Sequence, residues 1–157
     1  MSDFPDDAAR LVEQYVEEEH GFLSWLNTRV DEIERGRVVV TIPYDEKLTN
    51  TVTPPTIHGG VAATLIDTAG GIAQRTTLAE PLTGGVATIN LDVNYLRRAG
   101  SDLTATAEVV RAGGTIGWAT VAVESPVPDG ELGEGPDEDH PVETVAIGQA
   151  AYRLFRE

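Results

Sequence analysis

The chain has no cysteine, a single lysine (Lys47), and no long apolar run. Without cysteine there is neither a disulfide framework nor a thiolate nucleophile. No stretch approaches the roughly 18 apolar residues that cross a bilayer as a helix. The opening segment, MSDFPDDAARLVEQ, is acidic and polar, unlike a secretory signal, so the chain reads as soluble and cytoplasmic. The three histidines, His20, His58 and His140, are scattered without ligand spacing, so no metal is expected. Neither a G-x-S-x-G nucleophile elbow nor a phosphate-cradling P-loop is present.

Acid, by contrast, is abundant. Twenty-six Asp and Glu face eleven Lys and Arg, a formal net charge of -15 over 157 residues. Such a surface repels nucleic acid and anionic membranes, so neither is an expected partner. The low-lysine, high-acid pattern resembles that of proteins from salt-loving archaea, where salt shortens the Debye length to about 3 Å at 1 M. An ordinary acidic protein is the bland alternative.

One domain covers residues 1–157, and hydrophobic residues at 41% suffice for its core. Within an N-terminal helical segment, 1–21, the run Pro5–Glu19 places Ala8, Leu11, Val12, Tyr15 and Val16 on one stripe. Two strand-like runs follow, Phe22–Ile33 and Arg37–Tyr44, joined by the turn signal ERGR. DEKLTNTVTPPT reads as a loop that Pro54 and Pro55 keep from becoming helical. A long helix spans His58 to Thr77. Val86–Leu96, Asp102–Arg111 and Thr115–Ser125 then read as a three-strand antiparallel meander. Residues 126–141 form an acidic low-complexity insertion, and VETVAIGQAAYRLFR a last strand. Strands following strands around one long helix predict an α+β fold with an antiparallel sheet.

The long helix is the anomaly. Val61, Leu65, Ala69 and Ile72, flanked by Ala62 and Ala73, form a face for the sheet. The other face holds Gly60, Ala63, Thr64, Asp67, Gly70, Gly71 and Gln74 where Glu, Lys and Arg would be ordinary. Gly70 and Gly71 each cost roughly 0.8–1 kcal/mol against Ala, so close approach by another element must offset them. Asp67 then sits in a crowded spot and becomes a candidate for chemistry, against the plain reading of a solvent-facing acid. At the helix start, "PPTIHGG" exposes unpaired N–H groups that can stabilise an oxyanion. There His58 is either a capping residue or part of the site.

The segment HGGVAATLIDTAGGIA resembles the signature of the hotdog-fold acyl-CoA thioesterases, in their phenylacetate-pathway (PaaI-like) branch. The likeness continues through GGVATINLDVNYLRRAGSDLTATAEVVRAGGTIGWATVAVES, so it spans Pro55–Ser125. It implies a hotdog fold: a long central helix wrapped by a curved antiparallel sheet, here with an extra N-terminal helix. It implies hydrolysis of an acyl-CoA thioester, with Asp67 as general base or nucleophile and the Gly59 N–H polarising the thioester oxygen. His58 would orient the site, Gly60 would help admit the carbonyl, and Thr88 would position the attacking water.

The family's carbonyl-binding asparagine stands six residues before the histidine, whereas Asn50 stands eight before His58. Either a bulge at Pro54–Pro55 restores it or the role is lost. Arg97 and Arg98 are candidate contacts for the coenzyme A phosphates, with Arg75 and Arg111 behind them; pairing with surface carboxylates is the alternative. No cofactor is implied, because coenzyme A belongs to the substrate. The family's sites lie at subunit interfaces, which implies a homodimer or homotetramer. The alternatives are a non-catalytic acyl-CoA-binding module and a hotdog hydratase or dehydratase, for which no motif is seen.

If the acidic surface is a salt adaptation, the melting temperature rises steeply between low salt and molar KCl. A flat melting curve across that series counts against the adaptation and leaves the thioesterase resemblance untouched.

Overall fold

The computed structural model describes residues 4–127 and 141–156. Helix α1 (Asp6–Gln14) starts after Pro5, with Asp6 and Asp7 against the positive end of its dipole. It widens into a π-helical turn, Tyr15–Glu19. Phe22 does not begin a strand, as the sequence suggested, but lies in a short helix, α2 (Gly21–Trp25). The reason is local: His20 Nδ1 accepts the Leu23 N–H at 3.2 Å and so caps a new helix. Asn27, at φ 59°, then turns the chain into strand β1 (Arg29–Glu34). Gly36, at φ 79°, makes the tight turn into β2 (Arg37–Ile42).

The expected loop contains a 3-10 turn (Glu46–Leu48) and a small hairpin, β3 (Thr49–Val52) with β4 (Pro55–Ile57). Helix α3 (Gly59–Arg75) follows, then β5 (Gly85–Tyr95), β6 (Leu103–Ala112), β7 (Ile116–Pro126) and β8 (Val142–Phe155). Most of the insertion expected at 126–141 lies outside the described residues. Its stem is described: Pro126 pairs with Val142, and the Val127 N–H donates to Pro141 O at 2.9 Å.

Six strands form one antiparallel sheet in the order β1-β2-β6-β7-β8-β5. This corrects the expected meander: β5 does not pair with β6 but crosses to the far side of β8. At 14 residues β8 is long enough to serve β7 along one edge and β5 along the other. Side chains alternate strictly along β7, where Gly117, Ala119, Val121, Val123 and Ser125 are buried.

Helix α3 lies on that buried face, contacting β2, β5, β6, β7 and β8. The sheet is floored with small residues, Ala105, Ala107, Ala119 and Ala150, all fully buried. Ile66 rests over Gly148, where an added Cβ would come within 2.9 Å of its Cγ2. The helix buries a wider arc than its apolar stripe. Gln74 is fully buried over Gly117, and Gly70 is buried against Tyr152. Gly70 and Gln74 therefore belong to the sheet-facing side, not to the small-residue face assigned from the wheel.

Gly70 and Gly71 differ accordingly. A Cβ at Gly70 would lie 2.3 Å from the Tyr152 hydroxyl, whereas one at Gly71 meets nothing closer than 3.6 Å. Gly70→Ala is expected to destabilise by about 1–2 kcal/mol, overpacking outweighing helix propensity. Gly71→Ala is expected to stabilise by up to about 1 kcal/mol. Thermal melts of the two variants should therefore shift in opposite directions; a stabilised Gly70→Ala contradicts this packing.

Candidate active site

Helix α3 carries two groups of candidate residues, one at its start and one midway. At the start, His58 is the N-cap, and its Nδ1 accepts the Gly60 N–H at 2.8 Å. That bond corrects one expectation: the Gly60 N–H is occupied by His58 rather than offered to a carbonyl. It also explains the glycine, since a Cβ there would lie 2.8 Å from Nδ1. Because Nδ1 accepts, the ring proton of neutral His58 is on Nε2. Gly59 is set by a residue that sequence reasoning missed. The Tyr95 hydroxyl donates to Gly59 O at 2.7 Å, and its ring would lie 3.1 Å from a Cβ at Gly59. The Gly59 N–H has no hydrogen-bond partner among the described residues.

Around this helix start, His58, Gly59, Tyr95, Arg97 and Arg98 line one small cavity of about 70 Å³. Arg97 pairs with Glu143, and Arg98 donates to Pro55 O. Both arginines thus flank the free N–H while engaged with the protein. Asn50 is placed by the β3–β4 hairpin. Thr49 pairs with Ile57 and Thr51 with Thr56, so Asn50 bulges opposite the residues just before His58. The bulge of this hairpin lies at Asn50 itself, not at Pro54–Pro55. Its side chain is exposed and makes no hydrogen bond among the described residues.

Midway along α3, Asp67 is held from two directions. Thr88 Oγ1 donates to Asp67 Oδ1 at 2.6 Å, and the Tyr152 hydroxyl donates to Asp67 O at 2.8 Å. Thr88 and Tyr152 are directly opposed in the β5–β8 pairing. Paired residues point to the same face, so both reach the same turn of the helix. A bulge at Ile89 follows at once, and bulges are devices that re-aim side chains beside sites. Burial, and secondarily the Asp67 charge, push the Tyr152 hydroxyl above its ordinary pKa. It therefore stays a neutral donor throughout the physiological range. One carboxylate oxygen of Asp67 is thus bound by Thr88, and Oδ2 remains.

Asp67 and Thr88 open onto a groove of about 630 Å³. Its walls are mainly apolar: Val12 and Val16 from the N-terminal helical segment, Leu23 from α2, Ile72 from α3, Val86 from β5. The apolar stripe of α1 divides here. Ala8, Val12 and Val16 are buried, while Leu11 and Tyr15 stay about half exposed along the groove. Sequence periodicity found the stripe but not this division. Within one chain the two groups of α3 cannot meet: Asp67 is eight residues beyond Gly59, about 12 Å along the axis.

Comparison with known proteins bears on these sites. A family model described as the thioesterase superfamily matches residues 55–128, the segment from β4 to the end of β7. A protein of Halobacterium salinarum, provisionally named an esterase, is 46% identical over 153 residues, 97% of this chain and 95% of its own length. A second one, from Saccharolobus solfataricus and named likewise, is 30% identical over 82% of this chain and 87% of its own. The crystal structure of a thioesterase family protein from Silicibacter pomeroyi superposes with a TM-score of 0.79 at 25% identity, covering 96% of this chain and 99% of the other. The long helix on a large antiparallel sheet is the hotdog arrangement, here with added N-terminal helices. From these likenesses and from the matched helix itself, the chain belongs to the thioesterase superfamily.

Proposed function

We propose that this protein hydrolyses an acyl-CoA thioester to the free acid and coenzyme A. The observation that carries this reading is Asp67, fixed by Thr88 at the mouth of a long apolar groove. A carboxylate beside an apolar wall gives up hydration, and a single hydroxyl donor leaves its second oxygen free to act on a bound molecule. Asp67 Oδ2 takes a proton from water, whose position the Thr88 hydroxyl helps define. The water oxygen bonds to the thioester carbon, and negative charge develops on the carbonyl oxygen. The unpartnered Gly59 N–H, at the positive end of α3, stabilises that charge. The C–S bond then breaks, and the leaving thiolate receives the proton held by Asp67. No cofactor takes part. In the other form of the same chemistry, Asp67 attacks the carbon directly and water releases the acid afterwards.

The 12 Å gap between Asp67 and Gly59 is bridged by a second copy. Both groups are tied to β5: Thr88 holds Asp67, and Tyr95 holds Gly59. Strand β5 is an edge of the sheet, and Ile89 and Tyr95 are exposed on it at 56% each. Antiparallel pairing of two β5 edges about a two-fold axis near their middle sets the Thr88 end of one against the Tyr95 end of the other. Asp67 then faces Gly59 of the partner subunit, and each dimer holds two sites. Arg97 and Arg98, beside that N–H, suit the phosphates of coenzyme A. Asn50 enters only by swinging from its exposed bulge.

Asp67→Asn is expected to lower thiol release from acyl-CoA by about 10²–10⁴-fold, and Thr88→Ala by about tenfold. Undiminished release in folded Asp67→Asn refutes the assignment. A wild-type protein that binds acyl-CoA yet never liberates thiol is a binding module instead. Ile89→Asp is expected to yield monomers by light scattering and to lose activity with them; an active monomer would rule out the shared site.

A further inference from the structure

The groove beside Asp67 has a cationic far end. Arg75 lies eight residues beyond Asp67 on α3, about 12 Å along the axis, and lines the same groove. The groove is lined mainly by apolar residues, with Glu19 the one other charged side chain on it besides Asp67 and Arg75, and Leu82, half exposed at 50%, adds to it from the loop before β5. Leu11, Tyr15 and Leu82 keep apolar surface open around one concavity, as a ligand site does.

Arg75 is half-buried, and its Nη1 donates to Pro81 O and Gly84 O, each at 2.7 Å. Those carbonyls are neutral and carry no charge to compensate the guanidinium. No carboxylate lies within ion-pair distance of it among the described residues. Burial lowers its pKa from the ordinary arginine value, with only Tyr15 acting in the other direction. Nε and Nη2 keep three N–H groups without a partner among the described residues. A planar guanidinium with free donors on two nitrogens suits one bidentate carboxylate.

We infer that the groove binds an acyl group whose far end is a carboxylate, with Arg75 as its counter-charge. The substrate is then the coenzyme A monothioester of a medium-length dicarboxylic acid. The thioester end of this inference rests on the proposed hydrolysis; the carboxylate end rests on Arg75 alone. A phosphate of coenzyme A is a poorer occupant, because it would draw the nucleotide along the apolar wall.

The test compares suberyl-CoA with octanoyl-CoA, which differ only in the terminal carboxylate. In the wild type, kcat/KM is expected to favour suberyl-CoA by about tenfold or more. Arg75→Gln collapses that ratio through KM, and Arg75→Lys restores part of it. Leu82→Glu offers Arg75 an internal acid while leaving the loop carbonyls in place; it collapses the ratio too, which keeps the test decisive if Arg75→Gln misfolds. Free suberate, but not octanoate, is expected to raise the melting temperature of the wild type and not of Leu82→Glu. That readout needs no turnover. If no thioester is cleaved but suberate still stabilises through Arg75, hydrolysis falls and the carboxylate site stands. A preference for octanoyl-CoA, an equal loss on both substrates in Arg75→Gln, or weakened binding of coenzyme A alone in that variant overturns the inference.

Discussion

The hydrogen bond from the Tyr152 hydroxyl to the carbonyl of Asp67 fixes where the central helix sits on the sheet. Tyr152 is 1% exposed, and a buried phenol without a partner carries a penalty of order 1–3 kcal/mol. Its bond to the helix backbone removes that penalty and sets the position of one turn. Gly70 makes the approach possible, because any side chain there would displace the ring. Thr88, the cross-strand neighbour of Tyr152, then meets the carboxylate of the same residue. Backbone and side chain of Asp67 are thus held by two strands that are themselves paired. An acid held in this way keeps its geometry without contacts to a ligand, which is what preorganisation requires.

The same logic operates at the helix start, with different parts. Tyr95 occupies the space that a side chain at Gly59 would fill and bonds its carbonyl. His58 fills the space beside Gly60 and takes its N–H. What is left without a partner at this helix start, among the described residues, is the N–H of Gly59. Each glycine of the helix that was conspicuous in the sequence has its own neighbour: an imidazole, a phenol, another phenol, and at Gly71 the open groove. The small-residue pattern therefore records several unrelated close approaches rather than one packed face.

Much of this was legible in advance, for physical reasons. The ends of α3 were readable because His58 caps it and the prolines before it prevent earlier helix. Strands β5 to β8 were readable from alternation between glycine-rich turns. Thr88 and Asp67 were paired by family resemblance alone; nothing in their spacing required contact. Tyr152 was not found, because its role depends on β8 pairing with β5, a non-local choice that alternation does not encode. Helix α2 was missed because the short, mostly apolar run FLSWL fits a strand as well as a helix until the His20 cap decides. The β3–β4 hairpin around Asn50 was read as a loop, because its pairing rests on a short non-local register that the prolines beside it hide.

Electrostatics connect the remaining features. A chain with net charge -15 repels coenzyme A at long range, yet repulsion of that kind is what salt removes. Short-range contacts survive screening, especially where water is partly excluded. The arginines near the proposed site differ in this respect. Arg97 has Glu143 beside it and must share or exchange that partner to meet a phosphate. Among the described residues Arg75 has only carbonyls as partners, inside a groove, so an arriving anion displaces none of their carboxylates. Exposed pairs of the first kind contribute little to affinity, whereas a half-buried guanidinium without an anion gains most from a bound one. In an acidic protein, then, the proposed anionic acyl end would be met by the half-buried arginine rather than by the surface ones, and added salt would strip long-range repulsion from the substrate while weakening that shielded contact less.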